Sequence, residues 1–265
     1  NQASITPNVN RNIAAHKISW DITDNIRLNA MESVVYGVRG IDFHYLIPLI
    51  PFWSLQHYLG DTDNIQMSAE IIYSQTDRFK FYGSLFMDEW APDKTFDKEN
   101  RNWFAYQSGL ILQHILNDSD KLRVEITWTD SRVYYHRFEV NDFYSHGYPL
   151  GFWAGPHAEE LFFSYRFFLK EIEWKINISN AKRGKLVYQY NEEIYTMERY
   201  EGLFEEKFLM DFEIRKSIYR NIFLRAGISH VKWKNPGFNP SSSDNQTLTD
   251  YLTKTSFNFI LSYNY

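Results

Sequence analysis

From Phe257 to its last residue the chain reads FNFILSYNY. Phe257, Phe259, Leu261, Tyr263 and Tyr265 fall on one side of an extended backbone, and Asn258, Ile260, Ser262 and Asn264 on the other. Successive side chains of a strand point to opposite faces, so a period of two means two different environments. The alternation recurs upstream. Leu122, Val124, Ile126 and Trp128 oppose Arg123, Glu125, Thr127 and Thr129. Ile172, Trp174, Ile176 and Ile178 oppose Glu173, Lys175, Asn177 and Ser179. Phe208, Met210, Phe212 and Ile214 oppose Lys207, Asp211, Glu213 and Arg215, and Leu161 to Leu169 repeats the pattern with Phe162 and Phe168 out of step. None of these apolar faces carries a charge. Weaker versions start near Ile13, Ile26, Ile65, Phe79, Trp103 and Ile222. The sum is about eleven strands, most of them long enough to cross a bilayer core obliquely.

The connections between these strands alternate in length. The short ones lie near Asp21 to Asn25, Thr76 to Arg78, Asn117 to Lys121, Lys170 to Glu171 and Ser217 to Asn221. The long ones are Gly37 to Asn64, Trp90 to Arg101, Asp130 to Glu160, Gly184 to Leu203 and Lys234 to Asp250. Outer-membrane barrels have short periplasmic turns and longer external loops. A soluble sandwich has no reason to keep every long loop at one end. The expected fold is therefore an all-β, antiparallel transmembrane β-barrel of the bacterial outer membrane, in one domain spanning 1–265. The long loops would be extracellular, the short turns periplasmic, and the apolar face would meet outer-membrane lipid.

Composition supports this reading by exclusion. The longest apolar run, Tyr45 to Trp53, contains Pro48 and Pro51 and is far short of the roughly 20 residues a membrane helix needs. With no cysteine, disulfide scaffolds, thiol catalysis and cysteine-bound zinc are out. A net charge of −5 argues against a nucleic-acid partner. There is no GxSxG elbow, HExxH or Gly-rich phosphate loop, so no enzyme is expected. The aromatic content of 18% fits a sheet whose rings sit at interfaces.

Strand parity adds a constraint. An odd count gives the chain two termini at opposite ends, whereas single-chain bacterial barrels have an even number of strands. An open edge in lipid is costly. The expectation is that this chain forms the C-terminal part of a larger barrel. The alternative is one further strand within Leu186 to Met197. The stretch Glu192 to Tyr200 is the one competing helical segment. Glu32 falls on the apolar side by parity, which predicts a local bulge or a loop boundary there.

The long loops hold the uncommon sequence. The first contains VVYG and RG followed by HYLGDTDN, from His57 to Asn64, and the third contains HGYPLG, then GP, then EL. In this order the motifs resemble the Wzi family of capsule assembly proteins, from about Ala14 to the terminal aromatic strand. The match is to that family's C-terminal portion. After GP, where the family pattern implies an acidic residue, this chain has His157, with Glu159 and Glu160 following. The resemblance implies an outer-membrane barrel of about 18 strands. It also implies a surface lectin that helps attach capsular polysaccharide, with the missing strands supplied from elsewhere.

Sugars stack their C–H faces on aromatic rings while their hydroxyls need polar partners. Trp53, His57, Tyr58, His146, Tyr148, Trp153, His157 and Glu159 are therefore the candidate polysaccharide-binding residues. The rings could equally form an upper aromatic girdle, and the histidines could make ordinary loop hydrogen bonds. Asp61, Asp63 and Asn64 form a cluster of the kind that binds calcium, or a turn that starts the strand at Ile65. No other cofactor is expected. The charges opposite the apolar faces (Arg123, Glu125, Lys175, Lys207, Asp211, Glu213, Arg215 and Arg225) would form an ion-pair network in the barrel interior. A pore or transporter that they tune, or a structural subunit of an envelope complex, are the alternatives to a lectin.

Overall fold

The structure, a computed structural model, describes residues 10–90, 102–186, 199–200, 202–219, 221–239 and 250–263. An 11-stranded antiparallel sheet dominates it. Its strands are β1 (Arg11–Thr23), β2 (Ile26–Gly37), β3 (Asn64–Gln75), β4 (Phe79–Glu89), β5 (Trp103–Gln113), β6 (Lys121–Thr129), β9 (Ala158–Leu169), β10 (Ile172–Arg183), β11 (Glu205–Tyr219), β12 (Ile222–Lys234) and β13 (Tyr251–Tyr263). A two-stranded hairpin of β7 (Tyr144–Ser145) and β8 (Tyr148–Pro149) lies apart within a long loop.

Each long strand pairs with its sequence neighbours, so the sheet is a simple meander. All short turns fall at one end and all long connections at the other, as the alternation of lengths predicts. Among the described residues β1 pairs only with β2 and β13 only with β12, so these two strands are the sheet's edges. The further strand within Leu186 to Met197, the helix at Glu192 to Tyr200 and the terminal Tyr265 fall wholly or largely outside the described residues.

The register keeps the two faces distinct. One row runs Leu110, Val124, Phe163, Ile178 and Met210 across five strands. A row on the opposite face runs Ser84, Gln107, Thr127 and Glu160. The predicted ion pairs form on this polar face in part: Arg123 meets Glu125 at 2.5 Å and Arg225 meets Glu213 at 3.5 Å, while the Arg215 guanidinium sits over the Phe223 ring. The strands run beyond the apolar band at the long-loop end. β13 begins at Tyr251, directly after the long connection that ends at Asp250, and Tyr251, Thr253 and Thr255 extend the ladder opposite Lys234, Lys232 and His230 ahead of the clear alternation from Phe257. Glu159, expected in a loop, is a strand residue of β9. It lies in line with the apolar face above the band, where Lys182 is 4.0 Å away.

Two apolar clusters flank the upper end of β2. Val34 and Tyr36 join Ile65 on the apolar face and are covered by Tyr45, Phe52 and Leu55 of the first long loop. Val35 points the other way and joins Trp103, Val133, Tyr134, Phe143 and Tyr144 of the third long loop. Consecutive residues of one strand thus receive two different loops on opposite faces.

The first loop contains an element absent from the strand pattern, helix α1 (Phe52–Leu59). Pro51 precedes it, and Gly60 ends it in the left-handed region at φ 99°, a conformation only glycine adopts without penalty. No neighbouring side chain caps its start. Instead the Glu32 carboxylate on β2 accepts the Phe52 N–H at 2.7 Å and meets His16 at 3.0 Å. The β1–β2 and β2–β3 registers run unbroken through Glu32, so the predicted bulge is not there. A carboxylate stands on the apolar face because it completes a helix N-terminus, where negative charge is favoured.

Candidate functional site

The cleft at the long-loop end is built by three segments. Helix α1 and the residues after it form one wall. The upper ends of β3 and β4 form the floor, and the start of the third loop closes the far side. The resulting hollow of about 370 Å³ is lined by Trp53, Gln56, His57, Asp61, Asp63, Ile65, Met67, Asp88, Trp90, His136 and Arg137.

Its wall is fixed by Asp63. This carboxylate is 1% exposed and receives Arg39 at 2.8 and 2.5 Å and the Tyr45 hydroxyl at 2.6 Å. Asp63 holds the Arg39 guanidinium far above its ordinary pKa, and burial, together with the bond to Asp63, pushes the Tyr45 phenol up. The Gln56 amide donates to the Asp63 carbonyl at 2.7 Å. Asp61 stands at φ 57° with its carboxylate 3.6 Å from His57 Nδ1, and the Arg137 guanidinium donates to its carbonyl. His57 also lies 4.7 Å from the Trp53 ring. Burial lowers the His136 pKa, which favours a neutral ring at the cleft's far side.

Asn141 ties the two loops together. Its side-chain oxygen accepts the Gly37 N–H at 2.8 Å, its amide donates to Thr62 at 2.8 Å, and its carbonyl accepts from Asn64 at 2.9 Å. Gly37 must be a glycine here, because a Cβ would meet Val140 Cγ2 at 2.6 Å. The third loop is then anchored to the wall. The Tyr134 N–H donates to the Asp88 carboxylate, and the Tyr134 hydroxyl accepts the Phe152 N–H at 2.9 Å. Arg132 and Asp130 pair at 2.8 Å.

The residues singled out in the sequence do not converge on one point. Trp53, His57, Asp61 and Asp63 meet in the cleft. Tyr58 projects from α1 into the open. Asn64 is buried and committed to Asn141, and Asp63 to Arg39 and Tyr45. The three residues of the calcium-type cluster therefore present no common oxygen cage, and among the described residues no group of three or more histidines and carboxylates could hold a metal ion. His146 and Tyr148 are exposed on the small hairpin of β7 and β8. Trp153 joins a second cluster on the polar face. Its indole donates to Glu160 at 2.8 Å, and Lys207 lies between the Trp153 ring at 6.0 Å and the Trp233 ring at 4.8 Å. His157 packs flat on Tyr200 at 5.6 Å, with burial lowering its pKa. Glu159 pairs with Lys182 and, at 3.7 Å, Arg199.

Among the cleft and anchor residues that were not singled out are Trp90, His136, Arg137 and Asn141. Trp90 closes a strand at a loop boundary, a weak signal. Nothing local marks His136, Arg137 or Asn141.

The chain resembles known proteins in two ways. The family model described as Capsule assembly protein Wzi matches residues 13–248. One similar solved structure is Wzi from Escherichia coli, described as an outer membrane protein involved in group 1 capsule assembly and a carbohydrate-binding β-barrel. It superposes with a TM-score of 0.60 at 14% sequence identity, over 94% of this chain and 51% of that one. The chain therefore spans about half the length of the barrel it matches. No curated protein matches it. With most of its length covered by the family model, the chain belongs to the Wzi family of capsule assembly proteins.

Proposed function

We propose that this chain forms part of the wall and the external mouth of an outer-membrane barrel that binds capsular or related surface polysaccharide, a lectin rather than an enzyme. The observation that carries this reading is the cleft, in which two indoles, Trp53 and Trp90, stand with Asp61, Gln56, His136 and Arg137. That is the mixture a sugar requires: flat apolar surface for C–H faces and fixed donors and acceptors for hydroxyls. The carbohydrate-binding description of the E. coli protein supports the same ligand class. The apolar face would meet lipid and the long-loop end the cell exterior. The two free edges, β1 and β13, would pair with further strands, since unpaired backbone is not tolerated in lipid. The third loop packs on the polar face at the long-loop end of the sheet, which favours a sealed barrel over a diffusion pore.

The test is polysaccharide binding and capsule retention by Trp53→Ala with Trp90→Ala. A loss of about tenfold or more in affinity is expected if two stacking contacts go. Barrel assembly, read as heat-modifiable gel mobility, should be unchanged. Wild-type affinity in that variant would exclude the cleft. A steady open-channel current in planar bilayers would favour transport instead.

A further inference from the structure

The first long loop does more than wall the cleft. From Phe43 to Leu59 it contains no Asp, Glu, Lys or Arg. One side of this stretch is packed on the sheet through Tyr45, Phe52 and Leu55. The other side is apolar and open: Leu49 is 91% exposed, Tyr58 88%, Phe43 77% and Leu46 58%. Val38, just before it, is equally bare. Exposed apolar surface of this extent marks an interface of some kind.

Three observations identify what covers it. First, the loop lies over the apolar face of the sheet, not the polar one, and just above exposed Ile18 and Trp20 of β1 and Ile71 of β3. The loop's open side thus continues the surface read above as lipid-facing. Second, this open side has none of the fixed polar partners a sugar would need. Its polar rings are His44, bonded to Asp42 at 2.8 Å, and the exposed Tyr58 phenol, a side chain suited to a membrane interface. Third, much of the backbone is already paired within the protein. Tyr45, Ile47, Ile50 and Leu55 donate to carbonyls of the same loop, Glu32 takes the Phe52 amide, and Pro48 and Pro51 carry no N–H. The charges of the loop, Arg39, Asp42, Asp61 and Asp63, are gathered at its two ends.

We propose that residues 38–58 form an interfacial anchor. Leu46, Leu49, Phe43 and Tyr58 enter the boundary between headgroups and acyl chains of the outer leaflet and hold the neighbouring cleft at the membrane surface. This rests on the reading of the apolar face as membrane-facing, and its test separates the two. The chain has no cysteine, so Leu49→Cys, Leu261→Cys and Ser145→Cys each give one site for a nitroxide label in the full chain reconstituted into phospholipid vesicles. Leu261 reports the apolar band and Ser145 the exposed hairpin of the third loop. The label at Leu49 should collide with oxygen in preference to a water-soluble nickel complex, with a ratio near that at Leu261 and several-fold above that at Ser145. A Leu49 label as nickel-accessible as Ser145 overturns the anchor while leaving the membrane reading intact if Leu261 stays in lipid. A Leu49 label shielded from both reagents overturns it in favour of a protein partner or a second copy. A water-exposed Leu261 removes the membrane reading and the anchor together.

Discussion

The first and third long loops start from similar material and end on opposite sides of one strand. Both are rich in aromatics, glycine, proline and histidine. The first folds over the apolar face of β2 and keeps its outer side free of charge. The third folds under the polar face and brings Asp130, Arg132 and Asp142 with it. Rings pack on either face, and each loop carries partners for its own buried charges: Arg132 for Asp130 and the His136 N–H for Asp142 in the third, Arg39 and Tyr45 for Asp63 in the first. Glu32 and Asp63 stand on the apolar side, and each is consumed by fixed donors, the Phe52 amide and His16 for one, Arg39 and Tyr45 for the other.

The comparison breaks most readily at Arg39. Arg39→Ala leaves the buried Asp63 carboxylate with only the Tyr45 and Thr62 hydroxyls, at a local cost of about 3 kcal/mol, the low end for a broken buried pair because Arg39 is partly exposed. Limited proteolysis should cut within 38–63 while the sheet stays intact. Next comes Asn141→Ala, which orphans the Gly37 amide and the Thr62 carbonyl at a cost of about 2 kcal/mol. Because Asn141 joins the two loops, hydrogen exchange should accelerate in both. Faster exchange in the third loop alone would refute the tie. Glu32→Ala removes the helix cap, worth about 1 kcal/mol, and should loosen only α1.

The smallest effect is on pH dependence. Burial raises the Asp142 carboxyl from its ordinary 3.8 to about 7. A raised folded pKa means the folded loop binds the proton more tightly. Its stabilisation is thus complete below about pH 4 and is lost as pH rises through about 7. The buried His136 and His157 are shifted down, so their contribution is lost as pH falls below their ordinary value of 6.5. The two tendencies oppose each other in the wild type. Asp142→Asn should therefore protect the third loop better at pH 8 and lose protection more steeply on acidification, measured by hydrogen exchange. An unchanged profile would place the ionised Asp142 in contact with water.

Much of the fold was legible in the residues. Every long strand lies where alternation put it, and the outward set of Phe257, Phe259 and Leu261 emerged from spacing alone. Part of the candidate site was legible too: of the eleven residues that line the cleft, Trp53, His57, Asp61 and Asp63 stand in one aromatic, polar stretch that any surface-binding loop would offer. α1 was missed because eight helical residues are too few to establish a period, although Pro51 and Gly60 bracket it as start and stop signals. Arg137 and Asn141 were missed because their roles exist only in contact with Asp61, Thr62 and Gly37, far away in the chain.

The sequence by itself determined the strands, their two faces and the end at which the long loops gather. These follow from a local binary pattern, since each residue's face is set by its parity and antiparallel neighbours need only a short turn. Only the tertiary structure decided which face each loop covers, that Trp53 and Trp90 line one cleft, and that Asp63 is spent on Arg39 and Tyr45 and Asn64 on Asn141. Those outcomes depend on contacts between distant segments, where burial, charge pairing and the room left by a glycine such as Gly37 must all be satisfied at once.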